Sequence, residues 1–399
     1  MSSRASSQTT IPIATSGTAL IHVDFLLTGI VMTFLGPMLP VLSARWSLPD
    51  VRAGYLIFAQ FFSSMFGMLL SGVLVQRVGY RLTLIIGLLL MTSGMVILAF
   101  GPFLVGIISV CIVGVGYGIT TPAGNLRTAE INPQRSAAAL NVINAVWGIG
   151  AMSSPVLIKI AQRPERFFFG TAAALLVLLV AFVFTRFVPD TRASSPQSLG
   201  PGGNFWKSRI LPVICILFFI YVGTETSFGA WVATYAHRME SGQHSLWEMT
   251  PSFYWGALLA GRALAPFALK FSRETMVARI GLMVALAGGL TLISARGMTM
   301  IVTGSILVGL GLASIFPISV SLLPGWFGDS ARSASGAVFS SGNMGGAIVP
   351  WIVGAVSTRY GSLRLGFCVP LLGIATMLGF YLSNGFSRRL FEGTERQGS

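Results

Sequence analysis

The stretch RFVPDTRASSPQSLGPGGNFWKSR, residues 186–209, divides this chain into two long apolar parts. It is polar and rich in Pro, Gly and Ser, and it carries four basic residues and one acid. A hydrocarbon core of about 30 Å needs about 20 apolar residues to cross as a helix, so each apolar part has room for six crossings. The stretch is therefore predicted to be a cytoplasmic linker between two six-helix halves.

The overall composition indicates an integral membrane protein. Of the 399 residues, 53% are hydrophobic and only 10% are charged, against about 25% charged residues in soluble domains. In a soluble protein, the net charge of +14 would suggest a nucleic-acid partner. Here the basic residues lie in short loops between spans, where they set the topology, so no nucleic-acid partner is expected.

Twelve membrane-spanning helices are predicted, at residues 18–42, 51–75, 82–100, 103–126, 136–160, 167–188, 210–236, 249–270, 276–295, 298–322, 333–356 and 364–384. Lys and Arg number 16 on the side of the termini and the linker and 9 on the opposite side, which predicts cytoplasmic termini. The expected location is the inner membrane of a bacterium. The expected organisation is a tail at 1–17, a bundle at 18–188, the linker at 189–209, a second bundle at 210–384 and a tail at 385–399.

An internal repeat supports the division into two halves. Two Gly/Pro patterns recur at one offset of 195 residues: Gly114-x-Gly116 with Pro122 as Gly309-x-Gly311 with Pro317, and Gly150-Ala151 with Pro155 as Gly345-Gly346 with Pro350. Parallel repeats of this kind are a transporter architecture, with a substrate site near the midplane between the halves. Small residues also let helices approach closely in lipid, and the two interpretations are compatible.

The loop between the second and third spans carries a family signature. It reads Gly72-Val-Leu-Val-Gln76-Arg77-Val-Gly79-Tyr80-Arg81 and resembles the loop Gly-x-Leu-x-Asp-Arg-x-Gly-Arg-Lys of the major facilitator superfamily. The resemblance implies an all-α membrane protein with 12 transmembrane helices in two pseudo-symmetric six-helix bundles, the major facilitator fold. It also implies a gating role for the loop residues Gly72, Gln76, Arg77, Gly79 and Arg81. Gln76 replaces the family's Asp, so the latch of this chain lacks that charge.

Three further stretches resemble the fucose/glucose–cation symporter family. They are YVGTETSFGAWVATY at 221–235, WGALLAGR at 255–262, and Thr121-Pro-Ala-Gly-Asn125, which is similar to that family's Glu-Thr-Ala-Ala-Asn. The resemblance implies a sugar-like substrate and a proton or Na⁺ as the coupling ion. Thr121 stands in place of the family's acid. This position therefore lacks a carboxylate that could take part in proton coupling.

Three ionisable residues within the predicted spans stand out: Asp24, Glu225 and Arg262. Placing each of them in a bilayer costs at least about 2.5–3.5 kcal/mol, so each is expected to have a structural or functional role. Glu225 lies near the midplane, where a low dielectric favours the protonated form and suits the carboxyl to proton exchange. Asp24 or Glu225 is expected to pair with Arg262, and release of that pair on protonation is the coupling hypothesis. The alternatives are a structural ion pair and an Arg262 side chain that extends to the headgroups.

Polar and aromatic residues in six spans are candidates for contact with a substrate. In span seven, Thr224, Ser227 and Trp231 share one helical face, and hydroxyls with aromatic rings suit a hydroxyl-rich ligand. The other candidates are Gln60, Asn125, Asn141, Asn144, Trp147, Trp255 and Asn343. The alternatives are hydrogen bonds between helices for the amides and an interfacial aromatic belt for Trp231.

The predicted function is secondary active transport of a small polar, sugar-like solute by alternating access, coupled to protons. The alternative is proton-driven export of amphipathic or drug-like compounds, which the 28 Phe and 16 Met favour. The sequence lacks a Gly-x4-Gly-Lys-Ser/Thr phosphate loop and a His-Glu-x-x-His motif, so neither ATP drive nor enzymatic activity is expected. Three separated cysteines predict no metal site, and no other cofactor is expected. The predicted monomer has the substrate and the lipid bilayer as its partners.

Overall fold

The computed structural model describes residues 14–185, 208, 210–239, 246–328 and 331–383. Most of the predicted linker and of both predicted tails lies outside these residues. The described residues are almost entirely helical, which confirms the all-α prediction.

Fourteen helices lie within the described ranges: α1 (Ala14–Thr33), α2 (Leu35–Trp46), α3 (Asp50–Leu98), α4 (Phe103–Ile131), α5 (Ser136–Ala161), α6 (Pro164–Phe184), α7 (Ile210–Met239), α8 (Thr250–Phe271), α9 (Glu274–Ile293), α10 (Met298–Leu312), α11 (Ile315–Phe327), α12 (Ala331–Tyr360), α13 (Leu363–Gly366) and α14 (Cys368–Leu382). Three pairs, α1 with α2, α10 with α11 and α13 with α14, each form one crossing, whereas α3 forms two. The predicted twelve crossings are therefore present.

Three crossings are broken where the sequence predicted uninterrupted spans, and a proline accounts for each break. Pro37, Pro317 and Pro370 each lack the N–H that would bond to the carbonyl group four residues earlier. Those carbonyl groups lie where α1, α10 and α13 end. The largest of these breaks bends α1 against α2 by 40°.

Spans two and three are continuous in the structure and change direction at Gly79. This residue has φ of 77° and ψ of 169°, so α3 consists of two helical segments that meet there. A positive φ of this size favours glycine. A Cβ at Gly67, before the break, would lie 2.9 Å from Cα of Gly118 on α4, and one at Gly87, after it, 2.5 Å from the Thr120 side chain. Because both parts of α3 pack on the same turn of α4, the chain reverses at Gly79.

Two crossings are less apolar than the others. Eight helical stretches, with α3 counted once, are long and apolar enough to cross a membrane, and the bent pair α1–α2 makes a ninth. Helices α8 and α12 are of spanning length, at 22 and 30 residues, but do not belong to this set. They carry Arg262 and Asn343, so the least apolar crossings hold candidate site residues.

The repeated glycines make equivalent contacts in the two halves. A Cβ added to Gly150 on α5 would lie 2.1 Å from the carbonyl oxygen of Leu26 on α1. In the second half, a Cβ on Gly345 of α12 would lie 2.0 Å from the carbonyl oxygen of Phe219 on α7. Each glycine therefore lets the fifth span of its half touch the backbone of the first span.

The other repeated pattern joins the fourth span of each half to the second. A Cβ on Gly114 would lie 2.3 Å from the carbonyl oxygen of Gln60, and a Cβ on Gly309 would lie 2.4 Å from that of Tyr254. These equivalent contacts confirm that the offset of 195 residues reflects two bundles of one design.

The two bundles contact each other at one end of the molecule and also along α3 and α12. We call the end where α6 finishes and α7 begins the linker side, and the opposite end the far side. Near the far side, Tyr55 on α3 stacks on Trp351 of α12, with ring centroids 6.2 Å apart. There too, the Ser252 hydroxyl on α8 donates to the carbonyl oxygen of Met152 on α5, at 2.8 Å.

Alanine at Gly150 or Gly345 is expected to lower the thermal stability of the purified protein. The added carbon would press on a backbone carbonyl, and overpacking of this kind costs about 1–3 kcal/mol. Thermal unfolding in detergent measures the change. Gly170→Ala is the matched control, because a Cβ at Gly170 meets nothing within 4 Å. Equal unfolding temperatures for the three variants would contradict the assigned packing.

Candidate functional site

An ion pair lies in the middle of the second half, between α7 and α8. The Nη2 group of Arg262 donates to Oε2 of Glu225 at 2.9 Å and to the Tyr221 hydroxyl at 3.2 Å. The Tyr221 hydroxyl in turn donates to the same carboxylate oxygen. The guanidinium also lies over the ring of Phe316, 5.6 Å from its centroid. Arg262 therefore pairs with Glu225, one of its two predicted partners, and does not extend to the headgroups.

Two tyrosines that hold this ion pair were missed by the sequence analysis. Tyr221 precedes Glu225 by four residues, which places both on one face of α7. Tyr254 on α8 donates its hydroxyl to the backbone carbonyl of Glu225 at 2.9 Å. The one-turn spacing of Tyr221 was a readable signal, whereas the contact of Tyr254 depends on how α8 packs on α7.

Asp24 lies elsewhere, within the first half. It is fully buried on α1, and neither carboxylate oxygen has a hydrogen-bond partner among the described residues. An ionised carboxylate in such a site is very costly, so this conformation accommodates the neutral form. His22 is separate from it, with Nδ1 2.8 Å from the carbonyl oxygen of Thr18 on its own helix. The two carboxyl groups therefore occupy different states: Glu225 is paired with a cation, and Asp24 is buried alone.

Two tryptophans meet across the boundary between the halves. Trp147 of α5 and Trp255 of α8 lie edge to face, with ring centroids 6.0 Å apart and an interplanar angle of 85°. The space for Trp255 exists because Gly229 on α7 has no side chain, and a Cβ there would lie 2.6 Å from the indole ring. Both indole Nε1 groups are buried without a hydrogen-bond partner in the part of the chain that the structure describes. The two buried indoles therefore meet at the junction of the halves.

The face of α5 that packs on α8 becomes exposed toward the linker side. The two helices still touch where a Cβ on Gly148 would lie 2.9 Å from the Leu259 side chain. One and two turns closer to the linker side, Asn144 and Asn141 on the same face of α5 are exposed. The Asn144 amide donates to the carbonyl oxygen of Leu140 at 2.8 Å. This conformation is therefore closed at the far side and open between α5 and α8 at the linker side.

The other predicted amides lie on different surfaces. Gln60 is buried in the first half, where Nε2 donates to the carbonyl oxygen of Val31 at 3.1 Å. Asn343 on α12 reaches across to α3, with Nδ2 3.0 Å from Sδ of Met68. Asn125 on α4 is half-buried. Gln60 and Asn343 therefore connect helices in this conformation. This matches the alternative interpretation of the amides, hydrogen bonding between helices.

The predicted polar face of span seven does not line the space between the halves. Thr224 faces α14, because a Cβ added to Gly373 of α14 would lie 2.4 Å from the Thr224 hydroxyl oxygen. The Ser227 hydroxyl donates to its own helix, and Trp231 Nε1 donates to the carbonyl oxygen of Pro350 at 2.8 Å. All three side chains are fully buried, so Trp231 does not belong to an interfacial belt. Periodicity correctly placed them on one face but could not show which neighbour covers that face.

The signature loop makes its contacts within the first half. Arg81 donates Nε to the carbonyl oxygen of Phe182 at 2.9 Å, at the end of α6. Tyr80, at one departure from the family pattern, donates its hydroxyl to Glu130 on α4. Gly72, Gln76 and Arg77 are exposed. The structure thus gives Gly79 and Arg81 defined positions, and the gating role of the loop stays a prediction.

Comparison with known proteins agrees with this fold. A profile of the Major Facilitator Superfamily matches residues 25–252. The glucose/mannose transporter GlcP of Bacillus subtilis is 26% identical over 360 residues, which cover 85% of this chain and 87% of GlcP. The quinolone resistance protein NorA of Staphylococcus aureus is 26% identical over 367 residues, which cover 88% of this chain and 94% of NorA. Among solved structures, the E. coli fucose:proton symporter FucP has a TM-score of 0.63 at 17% identity, over 92% of this chain and 97% of FucP, a likeness that shows the fold.

Neutralising one member of the Glu225–Arg262 pair is expected to destabilise the protein more than neutralising both. The two side chains are 13% and 27% exposed, so E225Q and R262Q each leave one largely buried charge without its partner, at a cost of about 1–3 kcal/mol. The double variant removes both charges. Thermal unfolding of the four proteins of this double-mutant cycle measures the coupling.

The pair between Arg45 and Glu165 is the control for this cycle. It spans 3.9 Å, and its side chains are 30% and 49% exposed. Its coupling energy is expected to be about 0–1 kcal/mol. An equally small coupling between Glu225 and Arg262 would contradict a largely buried pair.

Proposed function

Because the chain belongs to the major facilitator superfamily, we propose that it moves a small sugar-like solute across the membrane by alternating access, driven by protons. The proposed activity is transport without catalysis, and the partners are the substrate and the bilayer. The proposed membrane is the bacterial inner membrane, and the chain acts as a monomer.

The observation that carries the substrate class is the pair of unused indole N–H groups. Trp147 and Trp255 come from opposite halves, and their N–H groups have no acceptor among the described residues. Buried donors without acceptors are costly, and hydroxyl oxygens of a sugar supply acceptors. Aromatic rings at the same place offer apolar surface to the C–H face of such a ligand. The names of GlcP and FucP, in agreement with the stretches at 221–235 and 255–262, support the same class.

Export of an amphipathic compound is the second candidate. It is favoured by NorA, whose identity to this chain equals that of GlcP at 26%. An apolar ligand would leave both indole N–H groups of the tryptophan pair without acceptors. The paired tryptophans therefore favour the sugar-like solute.

Protonation of Asp24 and Glu225 is the proposed source of coupling. Asp24 is buried without a partner, which suits the protonated state, whereas Glu225 is held by Arg262 and suits the ionised state. When Glu225 gains a proton it loses its charge attraction to Arg262, and the guanidinium then needs a different partner. In this mechanism each carboxyl exchanges its proton when the halves rock and change its access to water.

The basic excess assigns the linker side to the cytoplasm. With 16 Lys and Arg on that side against 9 on the other, the positive-inside tendency favours this orientation. The conformation with its opening at the linker side is then the inward-open state.

Uptake into proteoliposomes with an imposed proton gradient tests the proposed function. The panel consists of neutral hexoses and polyols chosen by ligand-induced thermal shift. Accumulation that collapses with a protonophore is expected. Binding of amphipathic compounds alone, with no accumulation of any panel member, would favour the exporter.

The same assay tests the tryptophan pair. W255F keeps an aromatic ring and removes the N–H donor, so KM is expected to rise about tenfold. W46F is the matched control, because Trp46 donates its Nε1 to the carbonyl oxygen of Gly101 near the far side. An unchanged KM in W255F would remove the indole donor from the substrate site.

Asp24→Asn is expected to abolish accumulation against a gradient while substrate exchange continues. Asparagine resembles the protonated carboxyl in shape but cannot release a proton, so the carrier can still rock with substrate bound. Counterflow and gradient-driven uptake, measured in the same proteoliposomes, separate the two activities. Full accumulation by both D24N and E225Q would exclude these carboxyl groups from coupling.

A further inference from the structure

An ion pair joins the two halves at the far side. Asp50 is the first residue of α3, and Arg238 lies in the last turn of α7. Arg238 donates Nη1 to Oδ2 of Asp50 at 2.9 Å and Nη2 to Oδ1 at 2.5 Å. Two parallel bonds of this kind fix orientation as well as distance. The carboxylate is 9% exposed while the arginine is 46% exposed, so the acid is buried and the cation covers it.

A third helix completes the contact. The Ser357 hydroxyl on α12 donates to Oδ2 of Asp50 at 2.5 Å. The backbone N–H of Val51 donates to the hydroxyl oxygen of Thr358 at 2.9 Å. One turn away, a Cβ on Gly354 would lie 2.5 Å from the carbonyl oxygen of Asp50. The start of α3 is therefore seated against the second half without space for an intervening side chain.

This ion pair differs from others in the described residues by which parts it connects. The Arg45–Glu165 pair lies within the first half, and the Glu225–Arg262 pair lies within the second. Rocking of two rigid halves leaves such pairs intact. The pair between Asp50 and Arg238 spans the boundary, so opening of the far side must break it.

The helix dipole does not by itself account for the burial of Asp50. An acid at the start of a helix interacts favourably with the helix dipole, and it does so when it is exposed to solvent. The dipole therefore gives no reason for the acid to be buried. Asp50 is instead covered by Arg238 and Ser357, which belong to the other half. Its burial therefore arises from contact between the halves.

We infer that Asp50, Arg238 and Ser357 form the gate that closes the far side. While the gate is closed it stabilises the conformation open at the linker side, and its separation gives access from the far side. The inference rests on the proposed alternating access. Its test needs no substrate, so an error in the substrate class would leave the result unchanged.

Distance measurements between spin labels test the gate. In a variant with Cys111, Cys215 and Cys368 replaced by Ala, labels at R52C and R359C report the far side, and labels at Q76C and K270C report the linker side. All four positions are exposed, and each pair joins the two halves. In D50N and R238Q, the population with a long far-side distance is expected to rise at least about threefold, and the linker-side distance to shorten. S357A is expected to have the same two effects, a larger population with a long far-side distance and a shorter linker-side distance, but to a smaller extent.

The controls distinguish a gate from a pure helix-dipole role and from general destabilisation. E165Q breaks an ion pair within the first half and is expected to leave both distances unchanged. R238Q keeps the acid at the start of α3, so a role limited to the helix dipole predicts no change in that variant. General destabilisation would broaden both distance distributions without lengthening the far-side distance and shortening the linker-side distance. Either of these last two results would overturn the assignment.

Discussion

A charged group in the hydrocarbon region is stable only with a partner, and this constraint governs the whole molecule. The guanidinium of Arg262 is tolerated because Glu225 and the Tyr221 hydroxyl accept its hydrogen bonds. Asp24 has no such partner among the described residues, so it is accommodated as a neutral acid. A carrier that exchanges one proton for one conformational change can use this difference. The two carboxyl groups respond to the same constraint in opposite ways because their surroundings differ.

The same absence of water removes the hydrophobic force that normally packs helices together. In lipid, helices associate through close contact and hydrogen bonds between them, which explains why glycines face backbone carbonyls in both halves. A Cβ added to Gly150 would lie 2.1 Å from the carbonyl oxygen of Leu26, and one added to Gly345 would lie 2.0 Å from that of Phe219, so the two contacts are equivalent. They hold each half together as a rigid unit. Rigidity within each half lets motion concentrate at the boundary.

Contacts across that boundary must be strong enough to define a state and weak enough to break in every cycle. The far side meets this requirement with a carboxylate–guanidinium pair and hydroxyl contacts, near the stacked rings of Tyr55 and Trp351. Trp147 and Trp255 meet deeper in the same boundary, where both indole N–H groups are buried without a hydrogen-bond partner among the described residues. The gate and the proposed binding site therefore lie along one surface. A solute that binds both tryptophans would change how closely the two halves can approach each other.

Hydropathy, charge counts and the repeat determined the class, the twelve crossings and the pseudo-symmetry, because membrane thickness and backbone hydrogen bonding leave few alternatives. The sequence also singled out Glu225 and Arg262, since a charge in an apolar run is conspicuous. It could not choose between Asp24 and Glu225 as the partner of Arg262, nor show that Thr224 and Trp231 face inward within one half. It gave no sign of the pair between Asp50 and Arg238, residues 188 positions apart that both look like ordinary loop charges. Such pairings depend on how the helices pack and on which conformation the halves adopt, so only the tertiary structure could decide them.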